Sequence, residues 1–334
     1  MTSLSMIGES SAEPIFTSAE ETSITTTSTN TNRRRRFEGK VAIITESNCG
    51  IDRATAILFG KEGAKVAIQG TEETDLRRTV VQMVHAGVSQ DDILVVEGAI
   101  DNDQTLKNLV ERAYHKFGQI DVLVNNAGGI LQQQRSQQNN SYGYDYTNGH
   151  TGGEEDDDGR GRTSSNAGTR RISSIFGAFD NDFDFLFNIN LKSITKLTRL
   201  CAPYLQETKG AVVNISSFGT QRSLSDYTYY STIKTALDNY CRSIAVKFAK
   251  RDIRVNNINP GFIIGETLDE DDNRANKFEL NWIKNHVPMG RGGTAEEVAK
   301  VVAFLASDDA SYITGATITV DGAVSISSRP ADFF

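Results

Sequence analysis

Tyr230 and Lys234 stand four residues apart at the start of a stretch with helical periodicity. On a helix that spacing puts both side chains on one face, about 6 Å apart along the axis. A free phenol holds its proton up to about pH 10, too high for ready exchange at neutral pH. A neighbouring ammonium stabilises the phenolate and lowers that value, by about one to three units for a close opposite charge. The chemistry expected of the pair is proton donation to an alkoxide developing on a substrate, or the reverse. Alone the pair says little, because ten tyrosines offer many chances for a lysine four residues on. Ser217 adds weight. It follows the apolar run Ala211–Ser216, so its hydroxyl falls at the carboxyl end of a strand, thirteen residues before Tyr230. Asn190 brings a polar side chain among Phe187, Ile189 and Leu191, although a helix-interior asparagine bonded to backbone is the plainer reading.

Such residues need a frame that holds strand ends beside helix starts. Lys40–Thr45, Ala64–Gln69, Ile93–Val96, Asp121–Val124, Ala211–Ser216, Ile253–Ile258 and Ala316–Val320 read as seven strands. Their near-continuous hydrophobicity predicts burial on both faces, as in a parallel sheet. Helical spacing appears at Ala54–Lys61, Thr105–Lys116, Phe185–Leu205, Tyr229–Lys250 and Ala295–Leu305. This alternation predicts an α/β, Rossmann-like, doubly wound parallel sheet with right-handed crossovers. Ligands in such sheets bind beyond the carboxyl ends of the strands, so the chemistry belongs in the loops after strands one, four, five and six.

With those residues in place, the chain resembles the short-chain dehydrogenases/reductases. Their Tyr-x-x-x-Lys matches Tyr230 to Lys234, and their Asn-hydrophobic-Ser-Ser context matches Asn214–Ser217, with Ser217 as the catalytic serine. Asn-Asn-Ala-Gly is intact at Asn125, Asn126, Ala127 and Gly128, and Asn190 matches the active-site asparagine. Pro260 and Gly261 match the Pro-Gly pair after strand six, and Tyr312–Gly322 has the family's closing pattern. The resemblance covers the chain except an N-terminal tail and one insert. It implies Tyr230 as general acid/base, Ser217 hydrogen-bonding the substrate oxygen, Lys234 lowering the tyrosine pKa and holding the nicotinamide ribose, and Asn190 positioning a water. It implies NADP(H) or NAD(H) as cofactor, since no protein side chain supplies a hydride, and a small hydroxyl or carbonyl compound as substrate. The cofactor positions it implies are Thr45, Ser47, Cys49, Gly50, Ile51, Thr71, Asn126, Ala127, Gly128, Tyr230, Lys234, Pro260, Gly261 and Ile263. Family members commonly pair through the helices around Asn190 and Tyr230 and through the last strand, which implies a homodimer or homotetramer. Segment Ala316–Ser327 is compatible with that role.

The phosphate-binding turn departs from the pattern. Thr-Gly-x-x-x-Gly-x-Gly falls on Thr45 to Asp52, where only the middle glycine survives, as Gly50. Glu46 stands at the glycine of the tight turn and Asp52 at the one that packs helix against sheet. Any side chain there costs conformational freedom or space, and both of these repel an anion at a helix N-terminus. At an effective dielectric of about 20, one like-charge contact at about 4 Å costs up to about 4 kcal/mol. An affinity loss of roughly tenfold to thousandfold is expected once exposure and salt reduce that cost. Asp52 also has a benign reading, as an acidic residue in a first helical turn. Ala99 aligns with the family's adenine-contacting aspartate, and Gly70 and Thr71 sit where an acid would select NAD or an arginine NADP. The missing acid leans towards NADP(H). Two readings compete: an NAD(P)(H)-dependent oxidoreductase, favoured by the intact tetrad, and a non-catalytic relative that keeps the fold as a binding module, favoured by Glu46, Asp52 and Ala99.

The 334 residues carry a net charge of −8, so nucleic acid is not an expected partner. No stretch approaches a membrane span. Cys49, Cys201 and Cys241 show neither metal nor disulfide spacing, so no metal is expected and a reducing cytoplasm is. Residues 1–36 form a Ser/Thr-rich tail ending in the run Arg33 to Arg36. A second polar tract, from about 131 to 173, runs from Gln132 through Glu154–Asp158 to Arg170 and Arg171. Neither can bury enough apolar area to offset its ordering entropy. With a short tail at 328–334, this leaves one domain over 37–327. The insert, near the mouth of the site, is expected to be a tolerated surface loop rather than a lid or binding segment. Segment Phe262–Met289, with Phe262, Phe278, Leu280, Trp282 and Ile283, suggests either an apolar substrate portion or packing on the core.

Overall fold

The structure, a computed structural model, describes residues 35–126, 180–224, 227–264, 280–281 and 283–327. The expectations for the N-terminal tail before residue 35, the 131–173 insert and the 328–334 tail fall outside the described residues. Two of the four arginines are tied to the domain: Arg36 makes a two-pronged contact with Glu62 at 2.5 and 2.6 Å, and Arg35 pairs with Glu38 at 2.6 Å.

Seven parallel strands form the central sheet: β1 (Val41–Ile44), β2 (Lys65–Gly70), β3 (Ile93–Glu97), β4 (Val122–Asn125), β5 (Ala211–Ile215), β6 (Arg254–Pro260) and, after a short two-stranded ribbon of β7 (Ile263–Ile264) and β8 (Gly293–Thr294), β9 (Thr317–Val320). Their order is β3-β2-β1-β4-β5-β6-β9. The direction of winding reverses between β1 and β4, which places the ligand crevice at the carboxyl ends of those two strands. The expected seven strands and their alternation with helices are therefore present, each within two residues of its expected bounds.

Both faces of the sheet are buried, which explains the unbroken apolar runs. Ala42 and Ile44 of β1 face α1 (Gly50–Lys61), α2 (Glu73–His85) and α7 (Ala295–Ala306), sharing a core with Phe59, Leu76, Met83 and Val302. Ile43 faces the other way, towards α3 (Asp103–Phe117), α5 (Ser193–Thr208) and α6 (Thr228–Ala249), among Leu109, Leu197, Leu237 and Cys241. Local signals hold the helix ends. Asn102 caps α3 by accepting from the Gln104 and Thr105 amides, and Thr294 with Glu297 forms a reciprocal capping box on α7.

Two expectations need correction. Helix α2 is not apparent from spacing, because only Leu76, Thr79 and Met83 of its thirteen residues are buried. The single helix expected over Phe185–Leu205 is three segments: α4 (Asp180–Phe187), a π-helical turn Asn188–Lys192, and α5.

Candidate active site

Strand β5 stops at Ile215, and Ser216 and Ser217 continue beyond its carboxyl end. Ser217 starts a 3-10 turn, its Oγ accepting from the Gly219 amide at 3.1 Å. Helix α6 follows, with Tyr230 in its first turn and Lys234 one turn later. The Ser217 side chain lies beside the Tyr230 hydroxyl and acts to lower its pKa. Strand and helix are tied twice: Ser216 Oγ donates to the Lys234 carbonyl at 3.2 Å, and Lys234 Nζ donates to the Ile215 carbonyl at 3.0 Å. Lys234 Nζ lies 5.6 Å from the centre of the Tyr230 ring. The structure thus brings Ser217, Tyr230 and Lys234 together.

The electrostatics of the trio differ from the sequence-based expectation. Burial pushes the Tyr230 phenol up to about 12, with the Ser217 side chain opposing. Burial likewise pulls the Lys234 ammonium down to about 8, against the charges of Asp238 and Asp52. An ammonium over the ring does not overcome the loss of water around both groups. The nucleotide-free protein therefore holds Tyr230 as the neutral acid. Lys234 is 1% exposed, and among the described residues no carboxylate lies within ion-pair distance of its Nζ.

Asn190 sits in the π-helical turn, fully buried, its Nδ2 donating to the Leu186 carbonyl at 3.0 Å. Its Oδ1 is buried without a partner. The backbone bond anticipated for a helix-interior asparagine is there, but half the amide is unused. The π turn packs against α6, and such bulges recur at functional sites.

A ladder missed by sequence reasoning supports this side of the crevice. Asn125 Nδ2 donates to Asn214 Oδ1 at 2.8 Å, and Asn214 Nδ2 to Asn257 Oδ1 at 2.9 Å. Asn257 Nδ2 then donates to Asp238 Oδ1 at 2.8 Å, carrying the chain across β4, β5 and β6 into α6. Asn259 gives its Nδ2 to Asp238 Oδ2 at 3.3 Å and to Thr220 at 2.7 Å. Three asparagines in the run 256–259 and an aspartate four residues after Lys234 were the signal available.

The turn after β1 is the other wall. Thr45 Oγ1 accepts from the Asn126 amide at 3.0 Å, and Ser47 Oγ donates to the Ile44 carbonyl at 2.8 Å. Glu46 adopts φ +54°, the left-handed region that a glycine would occupy without cost. Its carboxyl is raised by burial, opposed by Gln69 and aided by Asp101. Gly50 opens α1, and no side chain caps that helix at Cys49, which is exposed. Asp52 does not act as a surface cap. It is 1% exposed and turned inward, Oδ2 accepting from Asn126 Nδ2 while Oδ1 is buried without a partner. Burial, aided by Glu46 and opposed by Asn126 and Lys234, holds its carboxyl far above the usual carboxylate range. Helix α2 braces the turn: Arg53 Nε donates to Thr79 Oγ1 at 3.0 Å, and Thr79 Oγ1 donates to the Ser47 carbonyl at 2.6 Å.

The remaining expected positions scatter along the same edge. Thr71 is exposed beyond β2, Ile51 is half-buried in α1, and Ile263 is half-buried in β7. Pro260 ends β6. A Cβ on Gly261 would meet the Asp321 Cα at 2.7 Å, so that glycine is required by the approach of two backbones. Ala127, Gly128, Phe278 and Trp282 lie outside the described residues. Phe262 packs on the Phe218 ring at 5.1 Å beside a cluster that includes Ile283 and Val287, so it serves the core. No metal-binding group of His, Cys, Asp and Glu occurs among the described residues.

Comparison with known proteins decides the family. Residues 40–145 match the short chain dehydrogenase family model, and residues 164–325 match the one described as enoyl-(acyl carrier protein) reductase. A 3-oxoacyl-(acyl-carrier-protein) reductase of Thermotoga maritima is 32% identical over 87% of this chain and 100% of its own length. The chain belongs to the short-chain dehydrogenase family. A dehydrogenase/reductase SDR family member 4 of Caenorhabditis elegans is 31% identical over 87% of this chain and 96% of its own. Among solved structures, a glucose dehydrogenase of C. elegans in its apo form gives TM-score 0.66 at 33% identity, covering 87% of this chain and 100% of that one. A short-chain dehydrogenase/reductase of the same organism, solved with cofactor, gives 0.69 at 30%, covering 87% and 97%. As a family member the chain is an NAD(P)-dependent oxidoreductase. Its residues fit such a cofactor: the head of α1 has no side-chain cap at Cys49, the place where a pyrophosphate binds a helix, and Asn126 and Lys234 both act on the first turn of that helix through Asp52. The Asp52 carboxyl is compatible only while it is neutral.

Proposed function

We propose that this short-chain dehydrogenase interconverts a hydroxyl and a carbonyl group on a small molecule, with Tyr230 as general acid/base. The observation that carries this reading is the meeting of Ser217, Tyr230 and Lys234 beyond β5: Lys234 is buried with its Nζ 5.6 Å from the Tyr230 ring centre, and among the described residues no carboxylate lies within ion-pair distance of it. A lysine kept dry without an ion-pair partner is costly to hold and marks a functional place. The nicotinamide dinucleotide, when bound, supplies or accepts the hydride. Ser217 hydrogen-bonds the substrate oxygen and fixes it within reach of the phenol. Tyr230 passes its proton to that oxygen as negative charge develops there, or takes it back in the oxidative direction. Lys234, positively charged below about pH 8, stabilises the phenolate so formed and holds the nicotinamide ribose. Asn190 directs its free Oδ1 to a water that returns protons to Lys234.

Asn126, with Ala127 and Gly128, borders the dinucleotide, and Thr45, Ser47, Cys49, Gly50 and Ile51 hold its pyrophosphate. Thr71, with no acid beside it after β2, leaves room for the 2′-phosphate of NADP(H), the preferred form. Pro260, Gly261 and Ile263 close the nicotinamide end. The chain acts in the cytoplasm as a homodimer or homotetramer. Supporting that assembly, β9 is a half-buried edge strand flanked by exposed Tyr312 and Ile326, and Val246 on α6 is also exposed.

Titration of the purified protein with NADPH and NADH, read by nicotinamide fluorescence and melting temperature, tests the reading. Micromolar binding with a rise in melting temperature, tighter for NADPH, is expected. No response to either nucleotide at millimolar concentration would overturn it.

A further inference from the structure

Asp52 is a buried acid that the proposed reaction does not use. It lies in the first turn of α1, at the end of the helix where a pyrophosphate binds. One carboxyl oxygen accepts from Asn126, at the end of β4, and the other meets nothing. The charged groups acting on it are Glu46, from its own loop, and Lys234, from α6. The Arg53 guanidinium, next to Asp52 in α1, is turned away towards Thr79 of α2 and the Asn48 carbonyl. An ionised Asp52 would thus meet an incoming dinucleotide as a second, dry negative charge. A neutral Asp52 adds a donor instead, in a crevice whose other donors are the amides at the head of α1.

We propose that Asp52 is a proton gate on the dinucleotide crevice: NADH or NADPH is held with this carboxyl neutral, so binding to a protein whose Asp52 is ionised takes up one proton. The gate presupposes the dinucleotide reading above. In the bound complex the proton rests on a carboxyl oxygen of Asp52, having come from the solvent buffer, and no other bond changes. Uptake is measurable once the free protein holds Asp52 ionised, and from there upward one linked proton weakens affinity by about tenfold per pH unit.

Calorimetric titration with NADH and with NADPH, in two buffers of different ionisation heat between pH 7 and 9, counts the protons directly. NADH removes any contribution from a 2′-phosphate. Wherever the free wild-type chain holds Asp52 ionised, binding should take up close to one proton and affinity should fall about tenfold per pH unit. Asp52→Asn and Asp52→Gly should take up none and bind with little dependence on pH. A second readout needs no nucleotide. A carboxyl raised by burial favours the folded state at low pH and loses that contribution as pH rises through its folded value, so wild-type melting temperature should fall towards pH 9 more than that of Asp52→Asn.

Binding by the wild-type chain without uptake at any pH overturns the gate. The same uptake in Asp52→Asn also overturns it, and assigns the proton to a neighbouring group, Glu46 or Lys234. A wild-type chain that binds nothing while Asp52→Gly binds both nucleotides overturns the gate and leaves the dinucleotide reading intact. Failure of all three proteins to bind overturns both.

Discussion

The loops after β1 and β5 open on the same crevice yet are built on opposite principles. Beyond β5, side-chain amides and carboxylates are joined across the sheet: Lys234 holds the Ile215 carbonyl, and an amide ladder runs from Asn125 through Asn214 and Asn257 to Asp238 behind it. Beyond β1, two acids occupy positions suited to glycine, one in left-handed backbone and one buried with an unpaired oxygen. The first wall is cross-linked by neutral amides, the second is strained and carries two buried carboxyls. On the proposed reading, reaction chemistry and cofactor retention fall on different walls, and each should be open to damage or repair without the other.

The largest expected effect comes from removing the proton donor. Tyr230→Phe should lower kcat by about a thousandfold, within the range for a positioned general acid, while leaving nucleotide affinity and melting temperature near wild type. Single-turnover rates beside fluorescence titration would check both halves. Unchanged turnover would remove Tyr230 from the mechanism, and a parallel loss of nucleotide affinity would show that the walls are not separable.

Reverting the other wall should do the reverse. Glu46→Gly with Asp52→Gly should tighten nucleotide binding roughly tenfold to thousandfold at pH 8, with kcat changing far less. An unaltered dissociation constant would mean that neither carboxyl confronts the pyrophosphate.

The ladder accounts for the rigidity of the β5 side. Asn214→Ala leaves Asn257 Oδ1 without its donor and takes one acceptor from Asn125. Because each buried unmatched group costs about 1–3 kcal/mol, a loss of about 2–3 kcal/mol is expected. Chemical denaturation gives that value, and a loss below about 0.5 kcal/mol would show that the ladder carries little of the rigidity assigned to it.

Most of the fold was legible because it rests on patterns the chain repeats locally. Seven apolar runs, buried on both faces, and helices of ordinary amphipathic spacing suffice for a doubly wound sheet. Helix α2 escaped because its buried stripe is only Leu76, Thr79 and Met83, too thin to stand out beside Glu73, Arg77 and Arg78. The π turn at Asn190 escaped because the phase shift of about 100° made by one extra residue is hidden where apolar residues fall on several faces, as at Phe185, Leu186, Phe187, Ile189 and Leu191. Proximity of Ser217, Tyr230 and Lys234 followed from strand ends and helix spacing, but their charge states did not. Spacing shows which groups meet, whereas burial, which decides that Tyr230 goes up and Lys234 down, depends on everything packed around them. The inward turn of Asp52 escaped for the same reason.

The smallest effect belongs to Glu46 alone, and it separates backbone strain from charge. A non-glycine residue at φ +54° costs about 1–2 kcal/mol. Glu46→Gly relieves that cost but gives the unfolded chain more freedom, offsetting about 0.4–1 kcal/mol. The net gain of roughly 1 kcal/mol should raise the melting temperature by about 2–4 °C. Charge adds a dependence on pH. Burial raises the Glu46 carboxyl, so the folded wild-type chain binds that proton more tightly than the unfolded one, and stability is lost as pH rises through the folded value. The advantage of Glu46→Gly should therefore be larger at pH 8 than at pH 4. Glu46→Gln keeps the strained backbone and removes the charge, so it should reproduce the pH-dependent part of the gain and not the rest. A Gln variant as stable as the Gly variant at both pH values would show that the left-handed turn costs this chain nothing and that charge alone distinguishes its two walls.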